Sequence, residues 1–173
     1  TLFLGTIAVS LYTNLNSIMV GALGTMEAVG FFTTGNKVVS LVMTIITAVT
    51  STIIPRMSYL VGNGKEEEAV FLQKKTINLL NYMSLPMIAG LVILAKPIIL
   101  VFSGEEFLPS VIVLQILSFL LIVIPWSSFL GLQILYPIRK EKYGNYAVII
   151  GALVNLVLNF FLIPRYAYVG VAV

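Results

Sequence analysis

The stretch from Gly30 to Ile54, GFFTTGNKVVSLVMTIITAVTSTII, decides the fold class. It exceeds the roughly 20 residues needed to cross about 30 Å of hydrocarbon at about 1.5 Å per residue. Lys37 is its only charge. Its polar residues are also ordered. At about 100° per residue, Thr33, Asn36, Lys37, Ser40, Thr44, Thr47 and Ser51 share one sector about 100° wide, and Leu41, Val42, Ile45, Val49 and Ile53 fall opposite. The pattern predicts a membrane-crossing helix with one polar side.

Working outward, further apolar runs cover 2–22, 76–95, 110–131 and 143–163, and another begins near Val169. With 30–54 this makes five expected spans and the start of a sixth. Hydrophobic residues are 59% of the chain, charged residues 10%, and the mean hydropathy is +1.04, beyond what a water-soluble domain could hide. No ten-residue alternation of a membrane barrel is present, so the expected class is all-α, a polytopic helical membrane protein. The chain opens on Thr1 and stops within an apolar run. It is therefore expected to be a piece of a longer chain, one partial transmembrane bundle over residues 1–173.

The connections differ in charge. Arg56, Lys65, Lys74 and Lys75 lie in 55–75, and Arg139, Lys140 and Lys142 in 132–142, so two connections hold seven of the ten cations. Lys96 and Arg165 are the only cations in the others. Basic connections stay on the cytoplasmic side, which predicts that the first residue is cytoplasmic and the Ser103 to Glu106 connection is outside. Within 55–75, Gly62-Asn-Gly64 reads as a turn, and Glu66, Glu67 and Glu68 as the first turn of a helix, where the dipole favours carboxylates. The Gly-Asn-Gly-Lys run lacks the spacing of a phosphate-binding loop.

Absent residue types exclude most catalysis. The chain has no Asp, His or Cys, so a Ser-His-Asp triad, a thiol nucleophile or a His/Cys metal site cannot be built from it. Neither an enzyme nor a cofactor is expected, and nothing points to nucleic acid. The polar sector of 30–54 has two readings. Its hydroxyls can serve close helix packing, or they can line a water-filled interior. Lys37 can snorkel to the outer boundary or face a cavity, and the shared sector favours the cavity. Run 2–22 repeats the pattern with Thr6, Ser10, Thr13, Asn14 and Ser17 on one side and Asn16 beside them. Asn155 and Asn159 lie four apart on one face of 143–163. Pro86 and Pro125 fall inside spans, where each frees a backbone carbonyl.

Several motifs resemble the polysaccharide transporter branch of the multidrug, oligosaccharidyl-lipid and polysaccharide flippase superfamily. Tyr12 to Gly21 followed by Glu27-Ala-Val-Gly30-Phe-Phe32 and Lys37, then Pro55-Arg56, then Asn159 to Tyr166 with Gly170-Val-Ala172, follow that family's order. Asn16 stands where the family often has Asp, Phe32 replaces Tyr and Ala167 replaces Gly. The resemblance covers the whole chain. It implies the carboxyl-terminal half of a two-bundle transporter whose amino-terminal half is its partner. The implied substrate is an undecaprenyl-pyrophosphate-linked oligosaccharide, flipped across the bacterial cytoplasmic membrane by alternating access. Lys37 would then be the phosphate counter-charge, with Asn16, Asn36, Ser40 and Thr44 as sugar or water contacts.

Two rivals stand beside it. A cation-coupled multidrug exporter of the same superfamily needs a carboxylate at membrane depth, and every Glu here lies in or beside a connection. A membrane-embedded glycan polymerase needs acidic or histidine groups on an outer loop, and the outer connections are short and lack Asp and His.

Overall fold

The computed structural model describes residues 19–22, 25–135 and 140–172, and every regular element among them is helical. Helix α1 spans Met26–Ser51. It starts ahead of the apolar run because Thr25, in extended conformation, caps it: its Oγ1 accepts the Ala28 N–H at 3.2 Å, and Glu27 sits in the positive first turn. Pro55 cannot donate to the carbonyl four residues before it. The chain makes a short turn at Thr52 and Ile53, and α2 (Ile54–Gly62) follows with Pro55 in its first turn, the position that tolerates it.

The expected turn is present. Gly64 adopts φ +68°, a left-handed conformation that suits glycine, and Lys65 N–H bonds to the Leu60 carbonyl at 3.0 Å. Helix α3 (Glu66–Ile93) then begins with its three glutamates, and Lys65 pairs with Glu68 at 2.9 Å on the surface. The 55–75 connection is thus a helical hairpin rather than an open loop. Pro86 lies inside α3 without ending it.

The 96–109 connection is ordered too. Helix α4 (Ala95–Ser103) stops at Gly104, φ +86°, and a 3-10 turn (Glu105–Phe107) leads into α5 (Ser110–Ser118). The expected span 110–131 is not uniform. It breaks at Phe119, resumes as α6 (Leu120–Ser128) and widens into a π-helical segment (Phe129–Leu135).

Three polar bonds fix α3 antiparallel to α5 and α6. Gln115 Nε2 donates to the Val92 carbonyl at 3.1 Å, Ser84 Oγ to the Leu121 carbonyl at 2.8 Å, and Trp126 Nε1 to Asn81 Oδ1 at 2.9 Å. Residue numbers fall on one helix as they rise on the other, so these bonds share a single register. The middle one has a local cause: Pro125 has no N–H for the carbonyl four residues back, which is that of Leu121. Ser84, fully buried, supplies the missing donor.

Helix α1 packs closely on α5. A Cβ added to Gly35 would lie 2.8 Å from Val113 Cγ1 and 3.1 Å from the Leu114 nitrogen. Phe32, Val39 and Ile46 of α1 join Leu80, Val113, Leu114 and Leu121 in the core.

Helix α7 covers Glu141–Ala172. Residues 163 and 169, expected to be separated by a connection, both fall within this helical stretch. It is not straight, however. Eight residues of helix rise about 12 Å, yet a Cβ on Gly170 would lie 2.6 Å from the Leu162 carbonyl oxygen. The chain therefore folds back between them, in the stretch that contains Pro164, which has no N–H to give a helix.

Among the described residues four helices are long and apolar enough to cross a membrane: Met26–Gly62, Glu66–Ile93, Ser110–Gly131 and Lys142–Ile163. Most of the run 2–22 lies outside the described residues, and the residues after 169 are too few to span. Four of the expected spans are thus present among the described residues, and the expected first one falls mostly outside them.

Candidate functional site

The site begins with the three faces of α1. Ala28, Phe32, Gly35, Val39, Ile46 and Thr50 are buried and share a sector about 60° wide, and the buried Thr34 and Val38 lie outside it. The polar sector is centred about 120° away from that sector. On a third side Leu41 is 59% and Ile45 52% exposed, while Thr34 and Val38, nearer the amino-terminal end of the helix, are buried. The packed face is thus distinct from the polar stripe. It runs through the small residues Ala28 and Gly35, the second of which admits α5, and hydropathy alone gives those little weight.

Most of the expected site residues lie together on the polar face. Lys37, Ser40 and Thr44 are exposed and Asn36 is half-buried, while Asn16 lies outside the described residues. One turn separates each from the next, so Lys37, Ser40 and Thr44 form a single row. The row extends through Thr47 and Ser51, both exposed.

Their hydrogen bonds divide them. Thr33 Oγ1 donates to the Val29 carbonyl at 2.8 Å, Thr44 to Ser40 at 2.9 Å, Thr47 to Met43 at 3.1 Å and Ser51 to Ala48 at 2.8 Å. These hydroxyl protons are used inside α1, so those groups tolerate an apolar surrounding and offer mainly acceptor lone pairs to a ligand. Asn36, Lys37 and Ser40 make no side-chain hydrogen bond or ion pair among the described residues; the ion pair found there is Lys65 with Glu68. Lys37 therefore carries the unmet demand. It lies ten residues beyond Glu27, about 15 Å along the axis of α1.

The two ends of the bundle differ in chemistry. Helix α2 packs against the π-helical segment, which brings the two basic connections to the same end. At the opposite end Phe31 meets Phe107 and Tyr168 edge to face, with ring centroids 5.9 and 5.4 Å apart, near Glu27, Glu105 and Glu106. Every described carboxylate belongs to one end or the other.

Asn155 and Asn159 meet as their spacing suggests, with Asn159 Nδ2 donating to Asn155 Oδ1 at 3.1 Å along α7. Sequence reasoning missed Ser84, Asn81, Gln115 and Trp126. A serine in the span preceding a proline-containing span was the available signal for the first.

Comparison with known proteins bears on what such a face serves. A family model described as polysaccharide biosynthesis protein matches residues 1–112. An Escherichia coli protein with the provisional name O-antigen transporter is 28% identical over 175 residues, covering 99% of this chain and 41% of that protein. A Haloferax volcanii protein with the provisional name low-salt glycan biosynthesis flippase is 25% identical over 162 residues, covering 94% of this chain and 34% of that protein. The chain thus spans well under half the length of these relatives. No solved structure matches it.

Proposed function

Because this chain belongs to the polysaccharide biosynthesis protein family, whose relatives are named as glycan transporters and flippases, we propose that it is part of a flippase for polysaccharide assembly. The cargo in this reading is an undecaprenyl-pyrophosphate-linked oligosaccharide. It moves from the inner to the outer leaflet of a bacterial cytoplasmic membrane by alternating access between this bundle and a second one. The end with the basic connections is cytoplasmic, following the charge bias.

The observation that carries the reading is the polar row of α1 with Lys37 exposed and unpaired among the described residues. A charge at membrane depth costs at least about 2.5 to 3.5 kcal/mol on insertion scales unless it meets water or a partner. A pyrophosphate is such a partner, and the glycan's hydroxyls suit Asn36, Ser40 and the acceptor oxygen of Thr44. Asn16 is assigned to the same group of cargo contacts. The multidrug-exporter alternative gains no support, since the described carboxylates sit at helix ends rather than at depth.

The test is glycan export in a strain lacking its own flippase, normalised to protein in the membrane. Lys37→Ala is expected to abolish export and Lys37→Arg to keep part of it, since the charge survives while the headgroup shape changes. Undiminished export by Lys37→Ala refutes the counter-charge role.

A further inference from the structure

The hairpin of α2 and the first turns of α3 has no part in the cargo reading. Together α1 and α2 run for 37 residues, about 55 Å, against about 30 Å of hydrocarbon. Helix α3, at 28 residues, is also longer than a crossing requires. The surplus meets where α2 joins α3, and it holds a small core of its own, Met57, Leu60 and Ala69, apart from the main one.

The outside of this hairpin is not that of a loop in water. Tyr59 is 60% exposed and Phe71 69%, and Arg56, Lys74 and Lys75 are exposed among them. Aromatic rings interleaved with Lys and Arg at helix ends are the composition of the membrane–water boundary. The hairpin has the chemistry to lie on the headgroup layer.

A cleft of about 310 Å³ opens between its two helices. Arg56 of α2 lines it, with Phe71, Leu72 and Lys75 of α3. Two carboxylates, Glu67 and Glu68, also border it, but Glu68 is held by Lys65 at 2.9 Å. Two cations from different helices are left against one carboxylate, over a partly apolar wall.

We propose that this cleft binds the phosphate of an anionic membrane lipid. The planar guanidinium of Arg56 grips two phosphate oxygens, Lys75 adds a point charge, and the glycerol and first acyl carbons rest on Phe71 and Leu72. Such a lipid pins the hairpin to the leaflet whatever glycan is moved, so this site and the cargo reading stand or fall separately.

The experiment uses the full-length protein purified in mild detergent. Native mass spectrometry reads the phosphatidylglycerol bound across a titration, with phosphatidylcholine as the zwitterionic comparison. The Arg56→Gln/Lys75→Gln variant is expected to bind phosphatidylglycerol about thirtyfold more weakly, from two cations near a lipid surface. The charge-preserving Arg56→Lys/Lys75→Arg variant should retain most binding, which also answers for a double variant that fails to fold. Lys140→Gln, at the same end but outside the cleft, should leave binding unchanged. Equal binding by the double glutamine variant overturns the site, and so does an equal loss from Lys140→Gln. Equal occupancy by phosphatidylcholine overturns the anionic preference. Displacement of the lipid by millimolar inorganic phosphate assigns the cleft to free phosphate and overturns the lipid.

Discussion

Replacing Ser84 by alanine removes one hydroxyl from a fully buried position and leaves the Leu121 carbonyl without the donor that Pro125 denies it. An unsatisfied buried acceptor costs about 1 to 3 kcal/mol. Polar bonds between membrane helices average only about 0.6 kcal/mol, because the separated helices find other partners. The proline separates the two regimes here: Pro125 cannot offer the Leu121 carbonyl the usual N–H four residues on, so the larger of the two costs applies, and Ser84→Ala is expected to destabilise by about 1 to 2 kcal/mol. The double-mutant cycle with Pro125→Ala supplies the test. Alanine at 125 restores an N–H to the Leu121 carbonyl, and in that background Ser84→Ala should cost less than about 0.5 kcal/mol. The assay is reversible unfolding of the full-length protein in mixed micelles at increasing dodecyl sulfate. Equal losses in the two backgrounds refute the argument that serine substitutes for the proline's missing donor.

The other predictions follow from packing and charge. Gly35→Ala forces a Cβ to within 2.8 Å of Val113 Cγ1 and should cost about 1 to 3 kcal/mol, with partial recovery in Val113→Ala, both read by the same unfolding assay. A cysteine at Asn63 should resist a membrane-impermeant thiol reagent in intact cells while one at Ser103 reacts; the opposite pattern reverses the orientation. Lys37→Arg should export more glycan than Lys37→Ala at equal membrane abundance, as measured by surface glycan in the complemented strain.

What could be read in advance depended on how local its cause is. The Gly62-Asn-Gly64 turn and the glutamate start of α3 were legible because backbone conformation and dipole act within a few residues. The exposed row of Lys37, Ser40 and Thr44 was legible because helical period alone sets it. The packed face of α1 was not, since Gly35 is useful only for the Val113 that meets it, and that meeting depends on the register of two helices. The same holds for Ser84, Gln115 and Asn81, whose partners lie on another helix. Helix α4 looked like part of a connection because Lys96 and Pro97 precede its apolar residues, although proline is tolerated in a first turn. The fold-back after Leu162 had its signal in Pro164, but a proline in an apolar run marks a kink as readily as a reversal.

The central claim is that the polar sector of α1 lines an aqueous path through the membrane while the Leu41 and Ile45 sector does not. Single cysteines at Ser40, Thr44, Leu41 and Ile45, in an otherwise cysteine-free full-length protein, can be alkylated by a water-soluble maleimide in membranes. The account predicts rapid labelling at 40 and 44, slowed when lipid-linked glycan accumulates, and little labelling at 41 and 45. Equal protection at all four positions, or labelling confined to 41 and 45, would contradict it.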